Sequence, residues 1–185
     1  MTPSYRAVFA VTALLSLAGC AQQDPQLPAL TKEVNQLNQK LDRLTDLAGA
    51  LERQTMLNRQ STNGVYLLPQ AKSPALLNTE FAQLSLAIES VASDSTGTSA
   101  VLKIKSVSGK PLPAFSAVVD WGQLDQVTGK PLTVDMQSQV INVTPRLLPS
   151  SEQTTEVRFG NVTPETLGFV HLHQLTLTPA APTQP

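Results

Sequence analysis

Ala100-Val-Leu-Lys-Ile-Lys105 is the stretch on which the fold turns. Ala100, Leu102 and Ile104 alternate with Val101, Lys103 and Lys105, so a β-strand here turns one side to an apolar core and sends its lysines to water. The same period of two recurs on both sides of it. Leu84, Leu86 and Ile88 share a face against Ser85 and Glu89. Phe115, Ala117, Val119 and Trp121 share another, and Gly122 follows. Further strands are predicted over Leu132–Val143, Thr154–Phe159 and Gly168–Leu177. Turn compositions separate them: Asp94-Ser-Thr-Gly97, Ser108-Gly-Lys-Pro111, Thr128-Gly-Lys-Pro131 and Leu148-Pro-Ser-Ser151. The two Gly-Lys-Pro-Leu segments have unrelated flanks, so they are recurrent turn chemistry and not a repeat. About six strands with no helix between them predict a mainly β fold, an antiparallel immunoglobulin-like sandwich over residues 61–178.

Toward the N-terminus the period changes. Val65-Tyr-Leu-Leu68 before Pro69 is an edge strand or a plug over the sandwich. Before it, Leu30, Val34, Leu37, Leu41, Leu44, Ala48 and Leu51 recur at steps of four and three, a heptad stripe on a helix predicted over residues 30–60. The stripe decays at Thr55 and Asn58, and Gly49 interrupts it. Asn38, Thr45, Leu47 and Gln54 at the flanking positions are uncharged and give no ion-pair code for pairing. Two uses of the stripe stay open: weak self-association as a coiled coil, or packing against the chain's own sandwich. Residues 20–29 hold Pro25 and Pro28 among glutamines and are predicted to be an extended tether. Pro179–Pro185 is predicted to be a disordered tail.

The leader explains the single cysteine. Arg6 precedes an apolar run from Ala7 to Leu17, too short to span a bilayer of about 30 Å. Leu17-Ala18-Gly19-Cys20 then matches a bacterial lipobox at every position. Residues 1–19 are predicted to be removed and Cys20 to take a diacylglyceryl group through its thiol. Several acyl chains, at about 0.8 kcal/mol per buried CH₂, give a durable membrane anchor where one would be marginal. The leader resembles those of enterobacterial lipoproteins, and in that group Ala21 after the cysteine implies the outer membrane facing the periplasm. With one cysteine no disulfide can form within the chain, so packing alone must stabilise the domain.

Composition narrows the chemistry. The 185 residues carry a formal charge of −1. A basic nucleic-acid-binding surface is not expected. Aromatic residues are 4% of the chain, so the core rests on Val, Leu and Ile. His171 and His173 are the two histidines and point to one face of a strand. Zinc or copper would need a third ligand, and no carboxylate lies within five residues of the pair. The expectation is therefore no metal site, no cofactor and no catalytic residue. Neither Gly-x-Ser-x-Gly nor a Ser-x-x-Lys in a suitable setting occurs. Trp121 could stack on a sugar, but it shares a face with Phe115 and Val119 and reads as core.

Gln60-Ser-Thr-Asn-Gly-Val-Tyr-Leu-Leu-Pro69, Pro111-Leu-Pro-Ala-Phe-Ser116, Gln139-Val-Ile-Asn142 and Leu167-Gly-Phe-Val-His-Leu-His173 follow the lipobox and helix in order. In this the chain resembles the YajI-like family of enterobacterial lipoproteins over nearly the whole mature length. The resemblance implies a shared build and an envelope location, and it carries over no catalytic residue. The function expected is a non-enzymatic, membrane-anchored interaction module with an envelope protein or glycan as partner. The alternative is a structural spacer resembling the murein lipoprotein, although the terminal Lys used there for attachment to peptidoglycan is missing. A metal-binding or hydrolytic domain is the remaining reading.

Overall fold

Lys103 and Lys105 do face solvent, and the strand that carries them lies between two others. A computed structural model of the chain describes residues 26–144 and 150–178. Cys20, the leader, residues 20–25 of the tether and the tail from Pro179 lie outside the described residues. One helix, α1 (Gln26–Gln60), precedes eight strands: β1 (Val65–Leu67), β2 (Ala75–Asn78), β3 (Gln83–Asp94), β4 (Gly97–Ser106), β5 (Phe115–Gly122), β6 (Gln137–Val143), β7 (Glu152–Gly160) and β8 (Phe169–Leu177). They form two antiparallel four-stranded sheets, in the orders β1-β8-β5-β6 and β2-β3-β4-β7. The mainly β sandwich after a heptad-patterned helix is thus the architecture found.

The core lies between the sheets and uses the predicted faces. Leu84 and Leu86 from β3, Ala100, Leu102 and Ile104 from β4, and Phe115, Ala117 and Val119 from β5 are buried in one cluster. Each fully buried Leu, Phe or Val contributes about 1.5–3 kcal/mol by leaving water. Trp121 is a core residue, packed at 5.4 Å on Phe159. Its indole N–H donates to the Gly160 carbonyl at 3.1 Å, joining β5 to the end of β7 in the facing sheet. Both Gly-Lys-Pro turns hold their glycine at positive φ, +72° at Gly109 and +67° at Gly129, where a side chain would be strained.

Two sequence expectations are corrected. Strands number eight and not about six: Ala75–Asn78 forms a strand for which no expectation was drawn, and of the two readings of Val65–Leu68 the edge strand is the one found, hydrogen-bonded to β8. The helix starts at Gln26, inside the expected tether, with Pro28 in its first turn, where the missing N–H has no helical partner to lose. The heptad stripe, whose use the sequence left open, is exposed from Leu30 to Leu51 and is not what packs on the sandwich.

The chain divides into two compact units, residues 1–43 and 44–185. In the first, Leu30, Val34, Leu37 and Leu41 are 50–66% exposed along α1. In the second, Leu44 and Leu51 continue that exposed row, while Ala50, Gln54 and Leu57 are buried. A shift of one residue turns a helix face by about 100°, so α1 has two distinct faces. Ala50 and Leu57 cover Leu68, Ala71 and Phe169 on the outside of the β1-β8-β5-β6 sheet. The Gln54 amide takes the Leu68 N–H at 2.8 Å and donates to the Ser73 carbonyl at 3.1 Å. Asn58 does the same at Tyr66, with 2.7 Å and 2.9 Å bonds to its N–H and carbonyl. A side-chain amide therefore stands where the next strand would be, closing this edge to further pairing.

Candidate functional site

The outer face of that sheet carries a row of polar and aromatic side chains. Because Ala117, Val119 and Trp121 face the core, period two sends Asp120 outward in the middle of β5. In β8, Val170 and Leu172 are buried in the core, so His171 and His173 also face outward. Register then decides who meets whom. Tyr66 lies opposite His171, His171 opposite Asp120, and Asp120 opposite Ser138, across all four strands. A β-bulge follows His173, with Gln174 at φ +50°, and ends the regular row.

The contacts are close. Asp120 Oδ2 lies 2.8 Å from His173 Nε2 and 3.9 Å from His171 Nδ1. Asp120 Oδ1 accepts the Ser138 hydroxyl at 2.6 Å. The other nitrogen of His171, Nε2, is 2.9 Å from the Asn63 carbonyl. A carbonyl only accepts, so His171 carries a hydrogen on Nε2, and in the neutral ring the Nδ1 lone pair faces Asp120. Tyr66 stacks on His171 at 4.1 Å, and His171 on His173 at 4.7 Å. The three charged or titratable side chains are only 10–13% exposed. His173 Nδ1 is buried with no hydrogen-bond partner.

Burial holds the His171 imidazole below its ordinary range, helped by the facing His173. The Asn63 carbonyl and Asp120 act the other way and do not outweigh it. Burial likewise raises the Tyr66 phenol, and the Asp120 charge adds to that. His171 thus gives up its second proton more readily than a free imidazole although a carboxylate stands beside it.

The arrangement is not a hydrolytic triad. Ser138 donates to Asp120, so the carboxylate sits in the middle and no imidazole is placed to take the hydroxyl proton. What converges instead is two imidazoles and a carboxylate, each with a ligating atom, all within 4.8 Å of one another. Among the described residues no other such group occurs. The absence of a third ligand near His171 and His173 in sequence was the ground for expecting no site; the fold brings the Asp120 carboxylate beside them from 53 residues away. The signal available beforehand was Asp120 itself, an outward carboxylate in mid-strand. A cleft of about 450 Å³ between Gly122, Leu132, Gln137 and Asn161 holds only Asp135 as a charged group and offers no comparable chemistry.

With this geometry the chain can be set beside known proteins. Residues 20–181 match the family described as protein of unknown function DUF3251. The uncharacterised lipoprotein YajI of Escherichia coli (strain K12) is 32% identical over 162 residues, 88% of this chain and 90% of that protein. The solution NMR structure of that E. coli protein superposes with a TM-score of 0.68 at 31% identity, over 74% of this chain and 81% of that one. The trimeric lipoprotein SadB of Salmonella enterica has a TM-score of 0.50 at 17% identity, covering 91% and 83%, a likeness of fold alone. The matched length, the identity and the shared two-sheet structure lead to one conclusion: this chain belongs to the DUF3251 family of YajI-like lipoproteins.

Proposed function

We propose that the chain is a non-enzymatic interaction module of the bacterial envelope, anchored by lipid on Cys20 and assembled with further copies of itself through α1. The observation that carries this reading is the heptad row, with Leu30, Val34, Leu37, Leu44 and Leu51 all turned to solvent. An apolar stripe of that length is costly to leave in water and invites a partner. Its spacing fits a like helix, and the residues used against the sandwich, Ala50, Gln54, Leu57 and Asn58, lie near the end of the same helix. Four heptads are marginal alone, but a shared membrane raises the effective concentration of tethered chains. The trimeric state of the Salmonella lipoprotein makes three the copy number to test first. Support for the anchor comes from the lipobox and from the lipoprotein relatives. No helix among the described residues is long and apolar enough to cross a membrane. Ala21 favours the outer membrane, and the partner recognised by the assembled sandwiches is an envelope protein or glycan.

The test has two readouts. The soluble chain starting at Ala21 should sediment as a concentration-dependent trimer, and Leu37→Asp should make it a monomer with an unchanged strand spectrum. Cys20→Ser should abolish lipid labelling and release the chain from washed membranes. A monomer at every concentration, in solution and after crosslinking in intact membranes, overturns the assembly. Retention of Cys20→Ser on the membrane overturns the anchor.

A further inference from the structure

We propose that Asp120, His171 and His173 form a binding site for a divalent cation of the zinc class on the outer face of the β1-β8-β5-β6 sheet. Imidazole nitrogen and carboxylate oxygen are the donors such ions take, at about 2.0–2.2 Å. Three donors around a tetrahedral ion stand a little over 3 Å apart by that measure. Here the Asp120 carboxylate is 2.8 Å and 3.9 Å from the two rings and all three ligating atoms lie within 4.8 Å of one another, so closing on an ion takes side-chain movements of up to about 1.5 Å. Three protein ligands leave one position for water.

The surroundings are those of an oriented ligand set. Metal-binding histidines usually give their second N–H to a carbonyl or carboxylate, which fixes ring and tautomer. His171 does this with the Asn63 carbonyl, and its Nδ1 lone pair then confronts a carboxylate oxygen at 3.9 Å. Two electron-rich atoms facing each other in a largely buried place call for a cation between them. Ser138 holds the far oxygen of Asp120, and Tyr66 and His173 sandwich the His171 ring. His173 now donates from Nε2 to Asp120. When the ion takes that nitrogen, the proton moves to Nδ1 of the same ring, which no hydrogen bond ties to either protonation state. A purely structural histidine–aspartate pair gains nothing from a buried nitrogen left over, and such groups in native proteins call for an explanation.

The untagged mature lipoprotein in detergent micelles, stripped by chelator, should take one Zn²⁺ per chain in calorimetry with a Kd tighter than about 1 μM. The chain has two histidines, so their ring C–H resonances report the site directly and should both shift in proportion to added zinc. Asp120→Asn and His173→Ala should each weaken binding at least about tenfold. Co²⁺ should give the intense visible band of a tetrahedral site. Failure of the folded wild-type protein to bind at micromolar zinc, or binding that leaves both histidine signals in place, overturns the proposal and makes the cluster a proton-sharing structural network. The resonance readout stands even if a variant fails to fold. Neither outcome bears on assembly through α1.

Discussion

Gly64 links α1 to β1 at φ +84°, and a Cβ there would fall 2.2 Å from the Leu172 carbonyl oxygen and 2.6 Å from His173 Cβ. Both the backbone conformation and the space therefore require glycine, unlike Gly109, where a Cβ would meet nothing within 4 Å. Gly64→Ala is expected to cost about 1–3 kcal/mol from backbone strain alone, with displacement of the β8 backbone added to that. Urea unfolding at fixed pH measures it. A midpoint equal to wild type would mean that the link between helix and strand relaxes freely. Because the clash falls on the residue before His173 and on His173 itself, this glycine also keeps the Asn63 carbonyl in reach of His171. Its role is invisible in composition, since Ser61-Thr-Asn-Gly64 reads only as a helix stop.

At the scale of elements, α1 is informative because its sequence and its packing disagree in phase. The heptad stripe weakens at Thr55 and Asn58, which by pattern alone looks like a seam running out. Asn58 instead supplies both halves of an amide to Tyr66, and Gln54 does so between Leu68 and Ser73. Polar residues enter the helix where it must satisfy the backbone of an edge strand. Asn58→Leu removes two hydrogen bonds of about 1 kcal/mol each and leaves a partly buried N–H and carbonyl unmet, so a loss of about 2–3 kcal/mol is expected. Hydrogen exchange at the Tyr66 amide should quicken in the same variant. An unchanged exchange rate would show that water or another group takes the place of the amide. Tyr66 also roofs His171, so this clamp steadies one wall of the His–Asp cluster.

At the scale of the molecule, the sandwich is not complete without the end of the helix. Ala50 and Leu57 shield Phe169, Leu68 and Ala71, while Val65 and Leu67 of β1 reach the main core. A chain starting at Leu44 keeps all of these, and it should melt within a few degrees of the mature protein. A chain starting at Lys72 discards them. The lost burial of Val65, Leu67, Leu68 and Leu57, at about 1.5–3 kcal/mol each, is of the order of the entire 5–15 kcal/mol stability of an ordinary domain. That shorter chain is expected to be unfolded or aggregated by circular dichroism and light scattering. A cooperative melt from it would mean that helix and β1 are accessory.

The sequence by itself determined what is local. The lipobox at Cys20 is a contiguous motif, the glycines of the Gly-Lys-Pro turns need a backbone only glycine takes easily, and period two says which side of a strand is apolar. So the inward faces of β3, β4 and β5 and the core place of Trp121 were legible beforehand. Period two is silent about neighbours. That Asp120 lies beside His171 depends on β5 pairing with β8, in a register fixed by Phe115, Val119, Leu172 and the facing sheet packing as one core. The helix was ambiguous for the same reason. A heptad says that a face must be covered, while the shape of the sheet around Phe169 decides that Ala50, Gln54 and Leu57 lie on the sandwich and that Leu44 and Leu51 are left to solvent.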